Sequence, residues 1–216
     1  MDDLTLKQLW NSADNTPNEI IALSRKNSDD ITQLKAQSLL STMKPIKIVA
    51  VLIGIVWVIF IDSLILGLFN IASIFFLASA IIQVVLTKIA IGIYLYHLIL
   101  INNINFSEPV VAVQERLLAL KTSTLWVARI LFLQLPVWTT FYWNLNMLNN
   151  GNLLLWGIQI FITLLFTYVA VWLFLNIKFE NRNKKWFKLI FTGNEWTPLI
   201  EAMELYEQTL AFKRNE

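Results

Sequence analysis

Four ionisable side chains, Asp62, Lys88, His97 and Arg129, interrupt otherwise apolar stretches of this chain. An ionisable group in hydrocarbon is where ion pathways, proton relays and headgroup sites are found. A relay through Asp62 needs a second titratable group at its own depth. At about 1.5 Å per helical residue, Lys88 lies about 27 Å inward from Asn70 and Arg129 about 25 Å inward from Asn146. Both then sit near the inner boundary, whereas Asp62 lies in the outer half of its own stretch with no partner charge in view. Structural pairing or solvation at the outer edge is the expectation for Asp62, with ion coupling as the alternative. Lys88 and Arg129 are expected to snorkel to lipid phosphates or to hold an anionic headgroup between helices. His97, on an apolar face, reads as a hydrogen-bonded packing residue rather than a switch.

Two polar stripes accompany these groups. Ser79, Gln83 and Thr87 recur at four-residue steps, and so do Gln159, Thr163 and Thr167, which places each set on one helix face. Side chains of this kind hydrogen-bond between membrane helices at about 0.6 kcal/mol each. The expected role is to join the second and fourth spans, and a lined pathway is the alternative. Gln134 and Pro136 allow a local bend in the third span. Metal, thiol and nucleophilic chemistry finds no residues: the chain has no Cys and one His, no phosphate-binding glycine loop, no zincin pair and no nucleophile elbow. No enzyme activity and no cofactor are therefore expected.

The elements that must position these groups are long and apolar. Residues 47–69, 71–101, 125–148 and 153–177 each meet the roughly 20 residues a helix needs to cross a bilayer, and only a helix or a closed barrel satisfies its backbone there. The composition agrees: 56% hydrophobic and 15% charged with nine Trp, against roughly 25% charged in soluble domains. The predicted fold is all-α, a four-transmembrane-helix bundle with spans at about 47–69, 71–90, 128–148 and 153–177. The second stretch exceeds the bilayer, so spans two and three are expected to continue as a cytoplasmic helical hairpin over about 89–128, turning near Asn102, Asn105 and Pro109. Residues 1–45 would form N-terminal helices, 46–178 the membrane domain, and 179–216 a basic juxtamembrane segment with an acidic amphipathic helix.

Charge sets the topology. Lys35, Lys44 and Lys47 precede span one, Arg116 and Lys121 lie between spans two and three, and Lys178, Arg182, Lys184, Lys185 and Lys188 follow span four. The other two connections, at Asn70 and at Asn146-Met-Leu-Asn-Asn-Gly-Asn152, are uncharged. The positive-inside rule then puts both termini in the cytoplasm, in a bacterial inner membrane. About 45 mostly polar residues precede the first apolar stretch, so a cleaved leader is not expected. The net charge of +2 and the position of the basic residues beside apolar stretches argue against direct nucleic-acid binding.

In the tails, Thr16-Pro-Asn-Glu19 reads as a capping box opening a short helix, a second helical run follows Ser28, and Pro45 should kink or break the chain at the membrane. Thr197-Pro198 opens a helix with Leu199, Met203, Tyr206 and Leu210 on one face and Glu201, Glu204 and Glu207 on another. The tails and the hairpin are expected to pack into one cytoplasmic cap, since exposed apolar patches are rare. Alternatively, Leu6, Leu9 and Trp10 form a plug for a partner protein.

The opening Leu6-Lys-Gln-Leu-Trp10, the polar helical lead-in and the junction Ser41-Thr-Met-Lys-Pro-Ile-Lys47, running into residues 48–60, resemble a family of uncharacterised bacterial multi-span proteins, some encoded beside extracytoplasmic-function sigma factors. The resemblance covers roughly residues 4–70. It implies no catalytic residue, and it implies that Leu6, Leu9 and Trp10 contact a cytoplasmic partner such as a sigma factor. The zinc-binding anti-sigma pattern needs His and Cys that are absent here, so a metal-free variant is implied. Two functions follow as expectations: a non-enzymatic regulator or scaffold that presents helices to a protein partner, and a small oligomeric transporter or channel subunit.

Overall fold

A computed structural model describes the backbone of residues 3–106, 108–143, 153–191, 193 and 196–214, with side chains described outside 3–22, 25, 29, 208–210 and 212–214. Among the described residues every regular element is helical. α1 spans Asp3–Leu68, α2 Ile74–Asn103, α3 Val110–Phe132, α4 Leu135–Thr140 and α5 Leu153–Asn176; a 3-10 turn at Phe179–Asn181 leads to α6, Lys185–Phe191, and α7, Thr197–Arg214. Four stretches, Lys26–Leu68, Ile74–Asn103, Val110–Thr140 and Leu153–Asn176, are long and apolar enough to cross a membrane. Their outward side chains, such as Ile53, Val56, Leu164 and Leu165, are exposed, as lipid-facing residues are.

α1 departs from the separate N-terminal helices expected. It is one helix of 66 residues, about 100 Å long at 1.5 Å per residue, and neither Pro17 nor Pro45 ends it. A proline removes one backbone donor and crowds the preceding turn, but it disturbs only that turn of a very long helix. Pro45 is exposed while Met43 and Lys47 beside it are buried, so its ring stays on the outer side and the packed face continues past it. Thr16, Glu19, Leu6, Leu9 and Trp10 lie outside the described side chains.

α1 and α2 run antiparallel. They meet at Gly54, where an added Cβ would lie 3.0 Å from Ile91, and through a cluster of Val58, Ile61, Ala80 and Val84. Ser73 caps α2 by accepting from the Phe76 amide, and its hydroxyl donates to the Trp143 carbonyl. The third span is interrupted. α3 stops at Phe132, Leu133 and Gln134 form a turn, and α4 restarts with Pro136 in its first turn. Pro136 cannot donate to the carbonyl one turn back, and its φ suits a helix start.

A second, larger cluster lies away from the α1–α2 turn. Ala36, Leu40 and Met43 of α1 pack with Leu100, Ile101, Ile104 and Phe106, with Val113, Leu117 and Leu120 of α3, and with Leu199, Ala202 and Tyr206 of α7. The Tyr206 hydroxyl donates to the Val110 carbonyl at 3.2 Å. Burial pushes the Tyr206 phenol above its ordinary pKa, since a buried phenolate loses its hydration. A third cluster joins Leu125, Leu173, Ile177, Phe187, Phe191 and Trp196.

Candidate functional site

Lys47 is fully buried, which is unusual for a lysine. Its stripe partners are Ala36, Leu40, Met43 and Val51, at three- and four-residue steps along α1, and all are buried. Lys47 therefore enters the packed face and points at α2. Its Nζ lies 3.1 Å from His97 Nδ1 and 4.7 Å from the centroid of the Tyr94 ring. His97 Nε2 lies 2.8 Å from Ser123 Oγ, and Ser123 donates to the Ala119 carbonyl at 2.6 Å. That donation fixes the direction of the chain. With its hydrogen committed, Ser123 accepts from His97 Nε2–H, and the bare Nδ1 accepts from the Lys47 ammonium. A three-helix relay, α1 to α2 to α3, results. One turn away Lys44 donates to Asn102 Oδ1 at 3.2 Å.

Asp62 has a charged partner, contrary to the depth count from sequence. Lys88 Nζ lies 3.0 Å from Asp62 Oδ2, with the side chains 55% and 42% exposed for Lys88 and Asp62. Helical side chains lean toward their own N-terminus. On antiparallel neighbours the Lys88 stem therefore leans toward the α1–α2 turn and Asp62 leans away from it, so the two side chains approach along the helix axes. Lys88 is thus engaged by a carboxylate.

Arg129 is redirected too. Its Nε and Nη2 donate to the Ile177 carbonyl at 2.9 and 2.6 Å, capping the end of α5, where helix carbonyls lack partners and a cation is favoured. The guanidinium also lies 5.3 Å from the Trp126 ring and 5.9 Å from Phe174. Two of its donor atoms, Nε and Nη2, thus serve the protein.

Among the described residues the two polar stripes do not bond to each other. Both turn to the segment between them. Ser79 Oγ lies 2.8 Å from Thr140 Oγ1, and Gln134 donates to Thr87 Oγ1 at 3.3 Å. From the other side Gln159 donates to the Thr139 carbonyl at 2.7 Å, and Thr139 donates to Thr163 Oγ1 at 3.0 Å. The bend at Gln134 makes this possible, because the helix break before α4 brings short polar side chains to both neighbours. Thr167 bonds within its own helix, to the Thr163 carbonyl. Gln83 is buried, and its Oε1 meets no donor among the described residues.

Sequence reasoning missed Lys47, Tyr94 and Ser123 as one unit, and Thr139 and Thr140 as partners of the two stripes. A signal for Lys47 existed: it occupies a position in the repeat that otherwise carries only apolar or small residues. Its neighbours Lys44 and Pro45 made it read as a boundary lysine instead. Among the described residues no group of three His, Cys, Asp or Glu is placed to hold a metal ion.

No protein family, curated protein or solved structure matches this chain.

Proposed function

We propose that this protein is a non-enzymatic membrane scaffold or regulator, with both termini in the cytoplasm of a bacterial cell, that presents the N-terminal arm of α1 to a protein partner. The observation that carries this reading is the two-sided character of α1. At about 100° per residue, Ala36, Leu40 and Met43 fall within about 60° of one another, and Leu23, Ile31 and Leu34 fall within about 80° on the far side. The first set is buried in the cluster with α2, α3 and α7. The second set is 61%, 66% and 65% exposed. A helix that has already packed one face and still carries a second apolar stripe in water has a face free for another helix or groove.

The cluster around Leu40, Leu117 and Tyr206 supports the reading of a cytoplasmic cap, because it holds the base of the arm fixed relative to the spans. A partner bound to the arm is then held at a set place on the membrane. The transporter reading asks Gln83 and Gln159 to line a path, yet Gln83 is buried and Gln159 is bonded to the third span. The scaffold reading needs neither to be free.

A photo-crosslinking amino acid placed in cells at Leu23, Ile31 or Leu34 tests this. The expected result is one discrete crosslinked protein from these three positions and none from Thr32 on another face. Equal, diffuse crosslinking from every position would remove the reading. The change of Leu9 and Trp10 to Ala is expected to weaken the same capture.

A further inference from the structure

Lys88 and Arg129 each have an acceptor within the protein; two other cations near the end of α5 have no carboxylate partner among the described residues. We propose that the end of α5, built around Lys121, Phe179 and Arg182, is a binding site for the phosphate headgroup of an anionic phospholipid.

The site is assembled by local geometry. In a 3-10 turn the side chains at i and i+3 eclipse, so the turn at Phe179–Asn181 brings Arg182 over the Phe179 ring, with Cζ 4.4 Å from its centroid. From α3, Lys121 approaches the same ring at 4.1 Å. Lys121 belongs to a stripe that continues through Leu125 to Arg129, the side of α3 that faces the end of α5. Two like charges are thereby held no further apart than the sum of those distances. The ring face favours each of them but neutralises neither, and among the described residues no carboxylate pairs with either one. Glu180, on the turn itself, is exposed. Glu201 and Glu204 share a neighbouring cleft of about 280 Å³ with Arg182, and neither comes within ion-pair distance. A phosphate accepting charge-assisted hydrogen bonds of about 2.8 Å from both cations would satisfy the spacing.

The surroundings mark a bilayer surface rather than open water. Trp172 and Trp186 meet edge to face with ring centroids 4.9 Å apart, Trp126 packs on Phe174, and Trp126 and Trp172 are partly exposed. Indoles concentrate at headgroup level. Leu189, on α6, is 86% exposed, beside exposed Lys184 and Lys185. A short helix with an apolar tip among lysines is suited to rest in the interface, its lysines reaching toward water.

The test is native mass spectrometry of the full chain in detergent, titrated with phosphatidylglycerol or phosphatidylcholine. Wild type is expected to retain phosphatidylglycerol selectively. Lys121→Gln with Arg182→Gln should weaken that retention about thirtyfold, from the lost attraction of two cations. The charge-conserving pair Lys121→Arg with Arg182→Lys should keep it, Lys184→Gln with Lys185→Gln should change it far less, and added inorganic phosphate should leave the lipid bound. Equal retention of both lipids by wild type, undiminished retention in the double Gln variant, an equal loss in the Lys184 and Lys185 variant, or displacement by inorganic phosphate would each overturn the proposal. If the double Gln variant does not fold, Lys121→Gln and Arg182→Gln are read singly, each against the same criteria.

Discussion

Asp62 and Lys88 show how a charge inside an apolar helix is accommodated. Each alone would face a surrounding that cannot hydrate it; together they compensate, and their half-exposed position leaves lipid or water to cover the remainder. Removing one partner strands the other, whereas removing both removes the problem. Asp62→Asn and Lys88→Met are therefore each expected to lower the unfolding midpoint in detergent micelles, and the double variant to recover most of the loss; a double variant that simply adds the two losses would show that the pair is not coupled. The Lys47, His97 and Ser123 chain behaves differently because it joins three helices. His97→Ala deletes an acceptor for a buried ammonium, a hydrogen bond worth about 1.5–3 kcal/mol, and should lower stability by that order in equilibrium unfolding. His97→Gln, which keeps an acceptor, should lose less. At this scale the sequence was informative about residue types and silent about pairings. The polarity of Ser79, Gln159 and Thr163 was visible; that each stripe would turn to Thr139 and Thr140 was not, since a partner on another helix depends on rotation about both axes.

Among the elements, α1 and α2 are in close contact at Gly54, where the missing side chain leaves room for Ile91. Gly54→Ala asks the flexible end of Ile91 to move a few tenths of an ångström and should be nearly neutral. Gly54→Leu places a branched side chain in filled space, and overpacking of this kind typically costs about 1–3 kcal/mol. Gly92, on α2, has nothing within 4 Å of where a Cβ would stand and is the matched control: Gly92→Leu should leave the unfolding midpoint nearly unchanged. Equal effects at the two glycines would argue against the α1–α2 contact described. Helix identity was legible from hydropathy alone for all four spans. The continuity of α1 was not, because Pro17 and Pro45 are local breaking signals, whereas the survival of the helix depends on how much of it lies on either side and on which face the ring occupies.

For the molecule as a whole, the absence of cysteine makes single introduced thiols clean reporters of topology. Ser24→Cys on the arm and Ala211→Cys on α7, both at exposed positions, are expected to react with a membrane-impermeant maleimide only in inverted vesicles, and with equal ease. Labelling of either from the outside of intact spheroplasts would reverse the orientation and the partner assignment with it. Because α1 and α7 share the buried cluster with Ala36, Leu40, Leu199 and Tyr206, the two thiols must report the same side if the bundle is assembled as described.

From amino-acid order alone came the all-helical class and the four spans, since each follows from transfer free energies that accumulate along a single helix. Position in space decided the rest: that Lys47 is interior, that Lys88 answers Asp62, that Arg129 closes the end of α5, and that the third span stands between the two polar stripes. These are relations between helices, and a hydrogen bond of about 3 Å is set by crossing angle, rotation and side-chain lean, quantities that no run of residues carries by itself.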